Sequence, residues 1–141
     1  MIKRRFLQPK DMWARVEKGN LLYVPVVVIE SAGHKHIYLS GQVAREADGT
    51  IVGKGDMRAQ IRKVCENIGK GLSHVGAKFD DVVRATTFVT DIEEYYRSSD
   101  ERFKFFKKNR PASTLIEISR LGHPDAMIEI ECEAIVEPER M

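Results

Sequence analysis

Apolar residues fall into two kinds of periodic run along this chain, and the first kind predicts β-strands. Runs that are rich in β-branched residues, or that alternate apolar and polar residues, are typical of strands with a buried face. Such runs occupy residues 21–29, 37–41, 82–89, 113–118 and 127–136. The segment Ser31-Ala-Gly-His34 separates the first two runs and predicts a hairpin, in which Pro25 indicates an edge strand or a bulge.

The second kind of run predicts two helices. Between residues 57 and 75 the apolar residues recur at steps of three and four, and Gly76 follows where a glycine commonly ends a helix. A second helix, rich in aromatic residues, is predicted from Ile92 to Lys108. The order strand, strand, helix, strand, helix, strand, strand predicts an α+β sandwich, in which both helices pack on one face of a mixed sheet.

The last strand predicts the character of the opposite face of that sheet. Residues on its two sides alternate, with Ile128, Ile130 and Cys132 on one side and Glu129, Glu131 and Glu133 on the other. Two interpretations of the acidic side stay open. Either water solvates it, or symmetry-related sheets meet there and an acidic pocket opens between subunits.

Length and charge narrow the class of protein. A chain of 141 residues that is 43% hydrophobic predicts a single domain over 1–141, and residues 1–20 lack clear periodicity and are interpreted as an N-terminal extension. The 23 Lys and Arg residues nearly balance the 21 Asp and Glu residues, which argues against nucleic acid and anionic membrane as partners. No signal sequence or membrane-spanning run is found, so a soluble, cytoplasmic protein is expected.

Cysteine and histidine spacing predicts no metal site. Cys65 and Cys132 are expected to be reduced thiols that serve as small structural residues. His34 and His36 stand two apart, yet the adjoining turn favours solvated histidines over a metal pair. His123 precedes the acidic strand, where a structural role is expected and a role as proton carrier is the alternative. With no phosphate-binding loop or metal cluster, no cofactor is expected.

Four segments in a particular order carry a family resemblance. They are Ile37-Tyr-Leu-Ser-Gly-Gln42, the helix beginning near Met57, Val83-Arg-Ala-Thr-Thr-Phe-Val-Thr-Asp91, and Pro111-Ala112 leading into Ile128-Glu-Ile-Glu131. Through them the chain resembles the Rid (YjgF/RidA) superfamily from residue 20 to residue 137. The resemblance implies a chorismate-mutase-like fold of the YjgF type. It also implies a homotrimer whose sheets form a central barrel, with ligand sites in clefts between neighbouring subunits.

The resemblance further implies an activity and its residues. The deaminase branch of this superfamily hydrolyses reactive enamines and imines to ammonia and a keto acid. Ser40 and Gly41 match the segment that places backbone near the substrate, and Glu129 matches the glutamate that positions the attacking water. A register shifted by two residues would select Glu131 instead, which lies on the same side of the strand.

One departure from the family pattern concerns the substrate carboxylate. The deaminase branch binds it with an arginine after Pro-Ala, and here that position is Ser113. Such a clamp contributes about 2–5 kcal/mol, which a hydroxyl cannot replace. An exposed cap beyond the second helix is the role expected of Arg110, and substitution for the missing arginine in the cleft is the alternative. Ser99 stands where the family has an asparagine. Weak or no activity on imines of simple 2-amino acids is therefore expected.

The resemblance together with these residues indicates four function classes, the fourth being chorismate mutase, which shares the fold but whose dianionic substrate needs several arginines that cannot be placed in the cleft. The first is an enamine or imine deaminase-like hydrolase that acts on a small-molecule substrate in an intersubunit cleft. The second is a non-catalytic small-molecule binder or sensor, which the missing arginine favours. The third is an RNA-cleaving or translation-inhibiting protein, against which the near-neutral charge argues. Whether the chain is an enzyme is thus left open by the sequence.

Overall fold

The fold is built on a mixed sheet of six strands. It is seen in a computed structural model, which describes the backbone of residues 1–140 and the side chains of residues 1–139. The strands are β1 (Lys3–Leu7), β2 (Val16–Glu17), β3 (Asn20–Leu21), β4 (Val26–Ser31), β5 (His34–Gln42), β6 (Val82–Val89), β7 (Ala112–Glu117) and β8 (Ile128–Val136). The α-helices are α1 (Met57–Ser73) and α2 (Ile92–Ser98).

Strand β8 occupies the middle of the sheet. The order across the sheet is β1-β4-β5-β8-β6-β7, so β8 pairs with β5 on one side and with β6 on the other. All neighbours run antiparallel except β6 and β7, which are parallel and are connected through α2. Strands β2 and β3 form a separate two-stranded hairpin. The predicted α+β class and mixed sheet are confirmed.

Helix α1 packs its apolar stripe on one face of the sheet. Ile61, Val64, Ile68 and Leu72 are at most 1% exposed and belong to the core cluster that also holds the inward residues of the central strands. The Asp56 side chain accepts a hydrogen bond from the backbone N–H of residue 59 and caps the first turn. The predicted helix is therefore present, and it ends two residues earlier than expected.

Helix α2 is shorter than its sequence pattern predicts. It ends at Ser98, and the next six residues, Ser99–Lys104, form 3-10 turns instead of continuing the α-helix to Lys108. Glu101 lies within these turns and is 1% exposed, and its carboxylate bonds to three cations. Two of the three, Arg58 and Arg62, come from α1, so an ionic cluster around the buried Glu101 carboxylate joins the two helical segments.

The first twenty residues contain strands that the periodicity did not reveal. Strand β1 pairs with β4 at the edge of the sheet, and its residues Lys3 to Phe6 are exposed on both sides, so no alternation marks them. Strand β4 is therefore internal, and the prediction that Pro25 lies on an edge strand is wrong. Pro25 directly precedes β4, and the bulge in this region lies in β5.

The alternation predicted for β8 is confirmed. Ile128, Ile130 and Cys132 are at most 3% exposed on the helix side. The opposite side, here called the open face, carries the three glutamates together with apolar side chains that stay partly exposed. These include Phe6, Tyr38, Ile116 and Ile135, each at least 39% exposed.

Both cysteines lie in the core. Cys65 and Cys132 form no disulfide, and burial raises the pKa of each thiol to about 12. Thiols with such a pKa are unreactive near neutral pH, which agrees with the structural role expected of them. Among the described residues, no helix has the length and apolar character needed to cross a membrane.

Replacing Glu101 with Gln should destabilise the fold in a pH-dependent way. Hydrogen bonds from Lys104, Arg58 and Arg62 lower the pKa of Glu101 from 4.5 to about 2. A depressed carboxyl pKa contributes stability that is present above the unfolded value and is lost as pH falls through the folded value. We expect Glu101→Gln to cost about 1–3 kcal/mol at pH 7 and to flatten the loss of stability between pH 4.5 and pH 2.

Urea denaturation at several pH values measures this effect. The matched control is Glu94→Gln, which removes an exposed partner of Arg97 and should leave stability nearly unchanged. Equal unfolding free energies for Glu101→Gln and the parent at pH 7 would contradict the structural role of the cluster.

Candidate functional site

The candidate site is centred on a contact between Glu129 and Gly41. The ladder between β5 and β8 breaks between the pairs Leu39↔Cys132 and Gln42↔Ile130. Two residues of β5, one of them Gly41, therefore stand opposite a single residue of β8, which is the arrangement of a β-bulge. A Cβ atom added to Gly41 would overlap the Glu129 carboxylate. Only glycine leaves room for this carboxylate.

Glu129 is a half-buried carboxylate without a bonding partner. Within the part of the chain that the structure describes, the Glu129 carboxylate forms no hydrogen bond and no ion pair. Burial, followed by the charge of Glu131, raises the pKa of Glu129 above 4.5, and the nearby Arg45 opposes this rise. A carboxylate with free oxygens and a raised pKa is suited to accept a proton from a bound water.

The other two glutamates of β8 stand in different surroundings. Glu131 is exposed, and it shares with Glu129 a depression of about 280 Å³ that Tyr23, Ser40 and Gly41 complete. Glu133 pairs with the Nε2 atom of His36 at 2.9 Å, and the His36 ring stacks on Tyr38. His36 is thus paired and half-buried, whereas solvation was expected. Of the three carboxylates, Glu129 is the one that lies against the bulge.

Both hydrogen-bond donors of Ser40 are bonded to backbone carbonyls of the same chain. Its hydroxyl donates to the Val24 carbonyl at 2.6 Å, and its backbone N–H donates to the Pro25 carbonyl at 2.9 Å. Ser40 therefore holds the segment that precedes β4 against the bulge. That segment carries Tyr23, whose pKa is raised by burial and by the charge of Glu129. Tyr23 was not among the residues that the sequence analysis selected.

A second cavity of about 240 Å³ adjoins the Glu129 depression. The two cavities share Tyr23 and Gly41. The second one is lined by residues that sequence reasoning did not select, among them Trp13, Arg15, Gln42, Arg45 and Asn67. The guanidinium of Arg45 stacks on the Trp13 ring with 3.8 Å between its carbon and the ring centroid. The cavity that contains Arg15 and Arg45 thus lies beside the depression that contains Glu129 and Glu131.

The remaining candidate residues lie on the other side of the sheet. Ser113 pairs in parallel register with Ala85, which is buried beneath the helices, and it lines a depression of about 300 Å³ with Ser99 and Arg110. Arg110 donates to the carbonyls of Phe106 and Lys107 at 2.7 and 2.8 Å. Arg110 is therefore bonded to the turn that follows the 3-10 segment, which agrees with the expected position of a cap beyond the second helix. Within one chain, these residues do not face Glu129.

The loop before β8 fixes His123 in place. Its Nδ1 atom accepts the backbone N–H of Asp125 at 3.0 Å, and its carbonyl accepts that of Ala126 at 3.0 Å. This bonding agrees with the structural role expected of His123. No group of three or more side chains suited to hold a metal ion occurs among the described residues.

Comparisons with known proteins relate this fold and site to a family. The family model described as endoribonuclease L-PSP matches residues 21–136. A RutC family protein of Pyrococcus abyssi is 32% identical over 72% of this chain and 79% of its own length. The 3-aminoacrylate deaminase RutC of Acinetobacter baylyi is 32% identical over 81% of this chain and 86% of its own length. A solved structure of the Rid protein family from Yersinia pestis has a TM-score of 0.79 and 29% identity, covering 95% of this chain and 100% of its own.

Substituting alanine for Gly41 should disable the site without unfolding the protein. The added methyl would displace the end of the flexible Glu129 side chain, and no backbone atom is among the contacts it would make. We expect the melting temperature to change little and ligand-dependent activity to fall at least about tenfold. Gly69→Ala is the matched control, since its methyl would meet only the Phe79 ring edge at 3.3 Å. Full activity of Gly41→Ala would show that the Glu129 position is not critical.

Proposed function

The chain belongs to the Rid (YjgF, RutC) family, and on that premise we propose that it hydrolyses the C=N bond of small imines and enamines. The observation that carries the proposal is the unpaired, half-buried Glu129 carboxylate, for which the bulge at Gly41 provides the space. Two glutamates and few other polar groups line the depression. Imine hydrolysis requires little more than an oriented water and a group that carries its proton.

The reaction assigns two successive roles to Glu129. As a base, it takes one proton from a water whose oxygen bonds to the carbon of the protonated imine, while the C=N π electrons move to nitrogen, and the product is a carbinolamine. As an acid, it returns that proton to the nitrogen. The C–N bond then breaks as the carbinolamine hydroxyl gives its proton back to Glu129, and ammonia and a carbonyl compound leave. An enamine enters the same path after its carbon is protonated. A raised pKa suits a group that must both accept and return a proton near neutral pH.

A homotrimer is part of the proposal, because one chain holds only half of the expected cleft. The open face carries exposed apolar side chains such as Tyr38 and Ile135 beside its glutamates. A second copy packed there would bury them. It would also supply the depression that contains Ser113 and Ser99, which in a single chain lies on the far side of the sheet from Glu129.

A binder without turnover is the second candidate, and Ser113 is the observation that favours it. Where the deaminase branch has a cationic clamp, this chain has a neutral hydroxyl. Release of ammonia above the uncatalysed rate separates the two candidates. The ribonuclease description of the family model finds no support in charge, since the net charge is only +2.

Analytical ultracentrifugation should show a species of three times the 16.1 kDa chain mass at micromolar concentration. Ile135→Glu, which places a charge on the open face, should shift that species toward lower mass. Glu94→Gln, outside this face, should not. A parent protein that sediments as a monomer would remove the intersubunit cleft from the proposal.

Glu129→Gln should abolish imine hydrolysis while the oligomer stays intact. The amide keeps the shape of the side chain but cannot take a proton from water. Ammonia release from freshly generated 2-iminopropionate and from its uncharged amide, each corrected for the spontaneous rate, measures the effect. Because the pKa of Glu129 is raised, the acidic limb of the parent's pH profile should lie above pH 4.5.

Glu131→Gln serves as the comparison. It should keep most of the activity, and the acidic limb should move toward lower pH, because the charge of Glu131 contributes to the raised pKa. If Glu131→Gln lost activity and Glu129→Gln kept it, the base would be Glu131, as the register shifted by two residues predicts. Parental activity in both variants would rule out either carboxylate as the base.

A further inference from the structure

Arg45 is a cation without a bonding partner. In the portion of the chain that the structure describes, its guanidinium makes no hydrogen bond or ion pair, and its Nε atom is fully buried and unsatisfied. Burial lowers the pKa of Arg45 from its ordinary value, and the charges of Tyr23 and Glu129 offset this effect only in part. The two Nη groups of Arg45 are not fully buried and bond to no described residue, so they are free to bond a ligand.

The surroundings hold Arg45 in one orientation. Its guanidinium lies over the Trp13 ring at 3.8 Å. The buried Asn67 amide donates to the carbonyls of Val43 and Arg45 at 3.1 and 2.9 Å, which fixes the backbone on both sides of residue 44. A stacked guanidinium keeps its plane, and its N–H groups point outward from the edge of that plane. Trp13 and Asn67 thus prepare Arg45 to meet a planar acceptor.

No acidic side chain among the described residues forms an ion pair with Arg45. Glu46, the next residue, pairs with Lys63 at 3.1 Å. Glu17 pairs with Arg15 at 2.9 Å, so the second arginine of this cavity already has a carboxylate. Arg45 is left as the unpaired cation that lines the 240 Å³ cavity, which shares Tyr23 and Gly41 with the depression that contains Glu129.

This pairing of unsatisfied groups defines the ligand that fits. A carboxylate offers two coplanar oxygens, which match the edge of a guanidinium in bidentate geometry. The cavity is smaller than the 300–1,000 Å³, roughly, that is typical for drug-sized ligands, so a ligand of few carbon atoms is indicated. A short acid with a C=N or C=O group beside its carboxylate would reach from Arg45 toward Glu129.

We propose that Arg45, stacked on Trp13, binds the carboxylate of a short 2-imino or 2-keto acid and thereby replaces the clamp that Ser113 does not provide. The imine part of this inference rests on the proposed function, whereas carboxylate binding does not. It revises the expectation drawn from Ser113 alone. The parent should hydrolyse 2-iminopropionate faster than its uncharged amide, and Arg45→Gln should remove that preference.

Binding is tested with pyruvate, the keto-acid product, and with pyruvamide, its uncharged analogue. Trp13 is the single tryptophan of the chain, so its fluorescence reports directly on this cavity. Isothermal calorimetry is run in parallel, because substitutions at Arg45 alter the surroundings of Trp13. The variants are Arg45→Gln, Arg45→Lys and, as a matched control, Arg97→Gln, which removes an exposed arginine from α2. Circular dichroism confirms that each variant is folded.

The parent should bind pyruvate at least about tenfold more tightly than pyruvamide, since one charged contact is worth 1.4 kcal/mol or more. Arg45→Gln should lose this difference, Arg45→Lys should retain part of it, and Arg97→Gln should match the parent. Equal affinity of the parent and Arg45→Gln for pyruvate would overturn the inference. So would equal binding of both probes to the parent, or inorganic phosphate bound as tightly as pyruvate.

The two proposals fail in different ways. If pyruvate binds through Arg45 but no variant or parent releases ammonia, the proposed function is wrong and the carboxylate site stands. If the parent releases ammonia and Arg45→Gln does so at the same rate with the same preference for 2-iminopropionate, the site is wrong and the function stands. If Arg45→Gln does not fold, Arg45→Lys provides the same test, because its preference for pyruvate over pyruvamide should be smaller than that of the parent.

Discussion

The site depends on one contact, in which the Glu129 carboxylate occupies the space where a side chain at Gly41 on the neighbouring strand would otherwise be. Glu129 can lie against β5 only because the ladder bulges there and Gly41 has no Cβ atom. The residues on either side of Glu129, Ile128 and Ile130, are fully buried beneath the helices. The carboxylate is therefore attached to a central strand of the sheet, between two core residues, so its position is set by the core and not by a loop.

The distribution of charges separates the site from the rest of the molecule. The buried carboxylate of Glu101 is bonded to three cations, and Glu133 is bonded to His36. Glu129 and Arg45 are both withdrawn from water, yet neither is bonded to the other or to another described side chain. Buried charged groups without partners lower the stability of the fold. Proteins keep such groups mainly at functional sites, where a ligand can bond to them.

The architecture was largely predictable because it is determined by periodicity. The alternation of β8 and the stripe of α1 each bury one side, and both were read correctly from spacing alone. Strand β1 was not predictable in this way, since its side chains are exposed on both sides and only backbone pairing defines it. The shortening of α2 depends on Glu101 meeting cations from α1, which is a tertiary contact that no local pattern contains.

The site was predictable only where one strand or one motif carries it. Glu129 and Gly41 came from family motifs, and the structure places them in contact. Trp13 and Arg45 lie in irregular segments far apart in sequence, and they meet only after β5 and α1 have packed. The Ser113 position could be matched by motif, but the face of the sheet to which it belongs became clear only from the register of β6 and β7.

Gly71 in α1 connects the spacing of the layers to the chemistry. A Cβ atom there would lie 2.6 Å from the Leu39 side chain and 3.5 Å from that of Met12. Leu39 directly precedes the bulge, and Met12 directly precedes Trp13, so the two walls of the site rest on the same spot of the helix. Helix α1 thus helps to set the distance between the depression that contains Glu129 and the cavity that contains Arg45. A larger residue at Gly71 would displace Leu39 and Met12 and thereby alter ligand recognition, although it would neither contact the ligand nor change any charge.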